Sequence, residues 1–148
     1  KGYSSSSAMY VAAKRLAREY REGKEIHVIY MGDHDPSGID MTRDIRERFE
    51  KFAHGRIYLN VHRLALNYEQ VEMWQPPENP AKESDSRFEA YAAQFGESSW
   101  ELDAVDPSTL AGLVKDKIEG LIDWNTWNEV AAKEHAYKQE LENLARKY

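Results

Sequence analysis

The chain has 148 residues, of which 41% are hydrophobic and 31% charged, and its mean hydropathy is -0.78. This length suits about one domain with a sizeable core, and without an apolar run of about 18 residues a membrane-spanning helix is excluded. Cysteine is absent, so disulfides, thiolate metal sites and cysteine nucleophiles are excluded as well. We therefore expect a soluble, cytoplasmic protein in which any metal is bound by carboxylate or imidazole groups.

Charge is distributed unevenly along the chain, whose net charge is -6. Residues 1–74 contain twelve basic and eleven acidic side chains, whereas residues 75–148 contain eight and fifteen. A nucleic-acid-binding surface, if the protein has one, is therefore expected in the first half. The chain opens KGYSSSS with no methionine before Met9. This indicates either a processed protein or part of a longer protein, and we favour the second interpretation.

The first half of the sequence alternates helical and strand patterns. Serines 4–7 precede a 3.6-residue apolar period that predicts a helix to about Glu22, ended by Gly23. An apolar run over residues 26–31 predicts a buried strand, a second helix runs to Gly55, and a second strand covers residues 57–66. This alternation of helices and strands with short connections predicts a three-layer α/β fold with a mostly parallel sheet and helices on both faces.

The second half is less regular. Asn67 is expected to cap a short helix ending at Met73 or Trp74, and three prolines in residues 76–80 predict an irregular loop to about Asp85. A possible short helix follows, then an alternating strand over residues 99–105 and a helix starting at Pro107. A long charged helix from Trp124 is expected to pack through a thin apolar stripe. We divide the chain into an α/β domain (residues 1–122) and a C-terminal helical extension (residues 123–148).

The sequence GDHDPSG at positions 32–38 places two carboxylates between a buried strand and a helix, where α/β sheets carry their sites. Because side chains two residues apart in extended backbone point the same way, Asp33 and Asp35 are expected to converge, with His34 pointing elsewhere. Adjacent carboxylates repel unless a cation lies between them, and oxygen ligands suit Mg²⁺ or Mn²⁺. Asp35 before Pro36 is also a good helix cap, but a cap requires only one acid.

With its flanks, GDHDPSG resembles the DxDPxG signature of Toprim domains, in particular those of topoisomerase VI A subunits and meiotic double-strand-break proteins. The GYSSSS segment and the sequence WELDAV at positions 100–105 resemble segments beside this motif in phage Toprim proteins, so the resemblance covers roughly residues 2–122. It implies a Rossmann-like Toprim fold in which Asp33 and Asp35 bind Mg²⁺ together with a glutamate from an earlier strand. It also implies a topoisomerase- or nuclease-type activity on DNA phosphodiesters.

The chain departs from this family at its first strand, because no strand with the expected glutamate precedes the first helix. Glu25 begins the same strand as Asp33, about 26 Å away in extended chain. We expect the missing strand upstream of Lys1, and the resemblance places a cleaving tyrosine on a separate winged-helix domain. These missing parts of the parent protein are predicted partners, and the fragment alone is expected to be inactive.

Other candidates are weaker. Glu101 and Asp103 are predicted to share one face of the later strand, which makes Glu101 a candidate third acid. Lys82 and Arg87, in or just after the proline-rich loop, are candidate contacts for nucleic-acid phosphates. The alternatives are a haloacid dehalogenase-like phosphatase with Asp33 as nucleophile and Asp35 as general acid, and a catalytically inactive interaction module.

Overall fold

The computed structural model describes residues 5–146, so residues 2–4 of the GYSSSS segment and Tyr148 of the predicted last helix lie outside the described residues. Along the described part of the chain, helices alternate with short strands. Its elements are α1 (Ser6–Arg21), β1 (Ile26–Met31), α2 (Pro36–Phe52), β2 (Leu59–Ala65), α3 (Tyr68–Trp74), β3 (Glu78–Pro80), α4 (Phe88–Phe95), β4 (Ser98–Trp100), a 3-10 helix (Leu102–Ala104), α5 (Pro107–Glu119) and α6 (Trp124–Ala145).

Contacts divide the chain into two compact units, Lys1–Ala111 and Gly112–Tyr148. The division falls within α5, eleven residues before the boundary placed between residues 122 and 123 from the sequence. The first unit holds all the strands of the described residues, and the second holds the end of α5 and the whole of α6.

The α/β class and the parallel pairing are confirmed. Strand β1 runs parallel to β2, with Ile26 opposite Leu59 and Tyr30 opposite Arg63, and the register shifts by one residue before Met31. The described residues form this two-stranded parallel sheet and a second, antiparallel pair, β3 with β4.

The core of the first unit lies on one face of the parallel sheet. Side chains from α1 and α2 pack there with those of β1 and β2 because alternate strand residues point to the same face. The buried members of this cluster are Met9, Ala13, Ile26, Phe49, Ala53, Ile57 and Leu59. Serine capping of α1 is also confirmed, since the Ser5 hydroxyl accepts the Ala8 backbone N–H at 3.2 Å.

Two predictions about the second half were wrong. The proline-rich loop contains β3, which pairs with β4 although Pro80 lacks an N–H; a proline is tolerated because β3 is an edge strand. The alternating segment over residues 99–105 is a strand only to Trp100 and then turns into the 3-10 helix. Glu101 and Asp103 therefore do not share a strand face.

Residues 5–146 include no helix that is both long enough and apolar enough to cross a lipid bilayer.

Candidate functional site

The two acidic residues of the GDHDPSG segment lie between β1 and α2, as the sequence predicts, and Asp35 caps the helix. Its Oδ1 atom accepts the backbone N–H of Gly38 and the hydroxyl of Ser37, the latter at 3.0 Å, and Pro36 occupies the first helical turn. The interpretation of Asp35 as a helix cap is therefore confirmed. This cap fixes one carboxylate oxygen and stabilises the start of α2 by about 1 kcal/mol.

Asp33 is held by a residue distant in sequence. Its Oδ1 atom accepts the backbone N–H of Leu102, the first residue of the 3-10 helix, at 2.8 Å. Within residues 5–146, the Oδ2 atoms of Asp33 and Asp35 form no hydrogen bond. Each carboxylate thus has one oxygen bound to the protein and one oxygen available to a ligand.

Both aspartates line the same two cavities. The larger, of about 520 Å³, extends from Tyr30 along the start of α2 and also includes Lys82 and Asp103. The smaller, of about 150 Å³, lies against the β3–β4 pair and includes Lys82 and Glu101. The structure therefore brings together Asp33, Asp35, Glu101 and Lys82, four of the five predicted site residues.

Arg87, the fifth, makes ion pairs instead. Its Nε atom is 3.0 Å from Asp40 and its Nη1 atom is 3.0 Å from Asp85. Within the described part of the chain, no carboxylate forms an ion pair with Lys82. Lys82 is therefore the better placed of the two candidate phosphate contacts.

A guanidinium group that the sequence analysis missed holds the GDHDPSG segment (residues 32–38) in place, which we call the acidic loop. Arg63 of β2 donates hydrogen bonds to four backbone carbonyl groups at 2.6–3.2 Å, and burial lowers its pKa. These carbonyls belong to Gly32, Asp33, Gly38 and Leu66. The available signal was an arginine inside a predicted strand, where a buried charge is costly unless it is fully bonded.

Glycine is required at position 38, where the neighbour is backbone, and leaves room for a side chain at position 32. A Cβ atom on Gly38 would lie 2.2 Å from the carbonyl oxygen of Asp33, and one on Gly32 would lie 2.1 Å from the hydroxyl oxygen of Tyr30. The Tyr30 ring lies beside Arg63, with 5.3 Å between the guanidinium carbon and the ring centroid. Burial raises the pKa of Tyr30. Gly38 thus lets the start of α2 approach the Asp33 carbonyl closely, and Gly32 leaves room for the Tyr30 ring.

His34, between the two aspartates, points away from them into an aromatic cluster, as predicted from its position. Its side chain is only 1% exposed. Four aromatic rings lie with their centroids 4.7–5.6 Å from the imidazole: Tyr68, Tyr91, Phe95 and Trp100. The backbone of His34 also pairs with that of Trp100 through hydrogen bonds of 2.8 and 3.0 Å. His34 therefore joins the acidic loop to β4 and α4.

The partners of His34 define its protonation state. The Tyr91 hydroxyl lies 3.0 Å from the His34 carbonyl oxygen and 2.9 Å from that of Ser98, so its proton is donated to a carbonyl. The hydroxyl oxygen then accepts a proton from His34 Nδ1, 2.8 Å away, while the buried Nε2 atom has no partner within the described residues. Burial lowers the pKa of His34, and the positive charge of Arg63 acts in the same direction. The folded protein therefore favours the neutral Nδ1–H form.

The donor set suits a hard cation only in part. Among residues 5–146, no three acidic or histidine side chains are grouped closely enough to hold a metal ion. The two free carboxylate oxygens of Asp33 and Asp35 fit two ligands of Mg²⁺, which commonly takes its other ligands from water and phosphate.

Comparisons of the chain with protein-family models, curated protein sequences and solved structures give no match.

The close approach at Gly38 predicts a large effect of a small substitution. Gly38→Ala should lower the free energy of unfolding by about 1–3 kcal/mol, because the new methyl group would overlap the Asp33 carbonyl. Gly112→Ala is the matched control: a Cβ there meets nothing within 4 Å, and the change should stabilise α5 by about 0.5–1 kcal/mol. Urea unfolding measures both, and equal effects would contradict the proposed geometry.

The buried imidazole predicts a pH dependence of stability in the absence of added metal. The pKa of histidine in the unfolded chain is about 6.5, and the folded protein holds that of His34 lower, so the unfolded chain binds the proton more tightly. The free energy of unfolding should therefore be constant above about pH 6.5 and decrease as the pH falls towards the folded-state pKa. In urea titrations, His34→Gln should flatten this dependence, whereas His135→Gln on exposed α6 should not. An unchanged dependence in His34→Gln would contradict the assignment.

Proposed function

We propose that this chain is a Toprim-like part of a metal-dependent nucleic-acid-processing protein of the topoisomerase or nuclease type, acting on DNA phosphodiesters. The observation that carries the proposal is the pair of carboxylates at the end of β1. Asp33 and Asp35 each use one oxygen to hold the loop and leave the other at a shared cavity. The DxDPxG resemblance supports the same assignment.

The proposed ligands for Mg²⁺ or Mn²⁺ are the Oδ2 atoms of Asp33 and Asp35. Asp33 Oδ1 accepts the backbone N–H of Leu102 and Asp35 Oδ1 accepts that of Gly38, which restricts rotation of both carboxylates. Such supporting contacts commonly orient metal ligands. When bound, the cation would supply positive charge to a phosphodiester and stabilise an attacking or leaving oxygen.

Lys82 is the proposed phosphate contact of the chain itself. It lines both cavities beside the two aspartates, and an ammonium group there would attract a phosphate that reaches the bound cation. Glu101 lines the smaller cavity and Asp103 the larger. We assign Glu101 a supporting electrostatic effect, because it forms no three-ligand group with the aspartates among the described residues.

The finer architecture is part of the same proposal. We take the two parallel strands and the helices α1 and α2 to be part of a three-layer, mostly parallel sheet with helices on both faces. The support is the mostly apolar sequence of β1, interrupted only by His27, which is typical of strands covered on both faces. The three-layer architecture is also consistent with the parallel pairing of β1 and β2.

Metal binding tests the carboxylate pair. Titration with Mn²⁺, followed by NMR, should first broaden the amide signals of residues 32–38, with millimolar affinity because the chain supplies two carboxylates. Asp33→Asn should abolish this broadening. It should change the free energy of unfolding by less than about 1 kcal/mol, because the amide oxygen still accepts the Leu102 N–H.

Asp103→Asn is the matched control, because it removes the same charge from the larger cavity and should leave the broadening in place. Broadening centred on acidic residues of α6, or none at all, would contradict the metal site; the latter result would favour the inactive interaction module. A loss of about 2 kcal/mol or more in Asp33→Asn would show that the carboxylate is structural.

DNA binding tests Lys82 separately. With Mg²⁺ present, Lys82→Ala should weaken binding of a fluorescent oligonucleotide severalfold and reduce the salt dependence by about one phosphate contact. Lys51→Ala, at the end of α2, removes the same charge and should have little effect. Equal effects of the two substitutions in anisotropy titrations would contradict a specific phosphate contact at Lys82.

A further inference from the structure

Helix α6 is long and exposed over its whole length. It extends over 22 residues, and every one of them is exposed. Helices in proteins are stabilised mainly by packing of an apolar face rather than by intrinsic propensity. Such a face on α6 therefore indicates an interaction surface.

The apolar face of α6 has the spacing of a coiled coil. Large apolar side chains, each between 48% and 66% exposed, follow one another at alternating intervals of three and four residues, with one glutamate in the series. In heptad notation, the a positions are Trp127, Glu134 and Leu141, and the d positions are Val130, Tyr137 and Leu144. The series spans 18 residues and contains three successive pairs of a and d positions.

We propose that α6 is a self-association helix, which pairs with α6 of a second copy of this chain as an antiparallel two-stranded coiled coil. This interface is independent of the acidic site at the end of β1. The charges along α6 favour a second copy in one orientation, as the positions of Glu134, Lys133 and Glu140 show.

A parallel pair would bring like charges together. Glu134, at an a position, would face Glu134 of the second copy inside the interface, where two unpaired carboxylates are costly. Lys133, at a g position, would face Lys138 at an e position of the second copy. Both contacts disfavour the parallel arrangement.

An antiparallel pair replaces both contacts with favourable ones. Glu134 then lies opposite Tyr137 of the second copy, whose hydroxyl can donate to the carboxylate, and Glu134 keeps its 2.7 Å ion pair with Lys138 of its own helix. Lys133 lies opposite Glu140 of the second copy, and two-fold symmetry repeats this ion pair. The helix is therefore complementary to itself in charge only when it is antiparallel.

The apolar layers also match in the antiparallel register. Trp127 lies opposite Leu144, and Val130 lies opposite Leu141. Beside them the large Trp124 meets the small Ala145. At 1.5 Å per residue the 22 residues provide an interface about 33 Å long.

The first experiment measures the mass of the complete 148-residue chain by sedimentation equilibrium from micromolar to millimolar concentration. The wild-type protein should show a reversible monomer–dimer equilibrium. Val130→Lys combined with Leu141→Lys should weaken dimerisation at least a hundredfold, because each lysine would face the other across the apolar layer. Ala132→Lys with Ala136→Lys, which adds the same charge to the opposite face of α6, should dimerise like the wild type.

Each other outcome overturns the proposal. The proposal is wrong if the wild-type protein stays monomeric at every concentration. It is also wrong if the double lysine variant still forms the dimer. If the stripe is instead covered by the rest of the same chain, the protein will be monomeric and the double lysine variant will lower its thermal stability. Circular dichroism of both variants verifies that the first unit remains folded.

The second experiment tests the orientation with a single charge. Lys133→Glu places two like-charged pairs in an antiparallel dimer and should weaken it roughly tenfold. Adding Glu140→Lys to the same chain restores opposite charges and should restore the affinity. In a parallel dimer, Lys133→Glu would instead pair with Lys138 and tighten the dimer, and that result would overturn the antiparallel arrangement.

Discussion

The acidic loop depends on the Arg63 guanidinium. The loop turns sharply between β1 and α2, so several of its carbonyl groups point inward, where an unbonded carbonyl would be costly. Arg63 bonds to three of these, on Gly32, Asp33 and Gly38, and to a fourth on Leu66, which follows β2. A single side chain of β2 therefore fixes the backbone from which both carboxylates project, and Gly38 lets the start of α2 lie close to the Asp33 carbonyl.

Three consecutive residues of this loop make contacts in three directions. Asp33 bonds to the 3-10 helix after β4, His34 packs among aromatic rings of α3, α4 and β4, and Asp35 caps α2. The loop thus connects the β3–β4 pair to the parallel sheet. Because these contacts use Oδ1 of each aspartate, they position the carboxylates without occupying all their oxygens, which is the arrangement that a preorganised ligand set requires.

The two units present different kinds of surface. In the first unit, carboxylates and Lys82 line the cavities that we propose bind a small cation and an anionic substrate. In the second unit, α6 carries an exposed apolar stripe flanked by charges, and a cavity of about 360 Å³ lies beside Trp127 and Val130. The proposed catalytic and self-association functions therefore depend on different residues and can be separated by mutation.

The sequence by itself determined the local features: the helix periods, the Ser5 and Asp35 caps, the strand β1, and the two aspartates beside it. These follow from interactions between residues close in sequence, which a periodic pattern records.

Only the tertiary structure decided the long-range contacts. The bonds of Arg63 to the loop, the cluster around His34 and the pairing of β3 across Pro80 join segments 18 to 66 residues apart. The strand predicted over residues 99–105 ended early for the same reason. Leu102 turns into the 3-10 helix and donates its N–H to Asp33, a contact that alternation in the sequence does not encode.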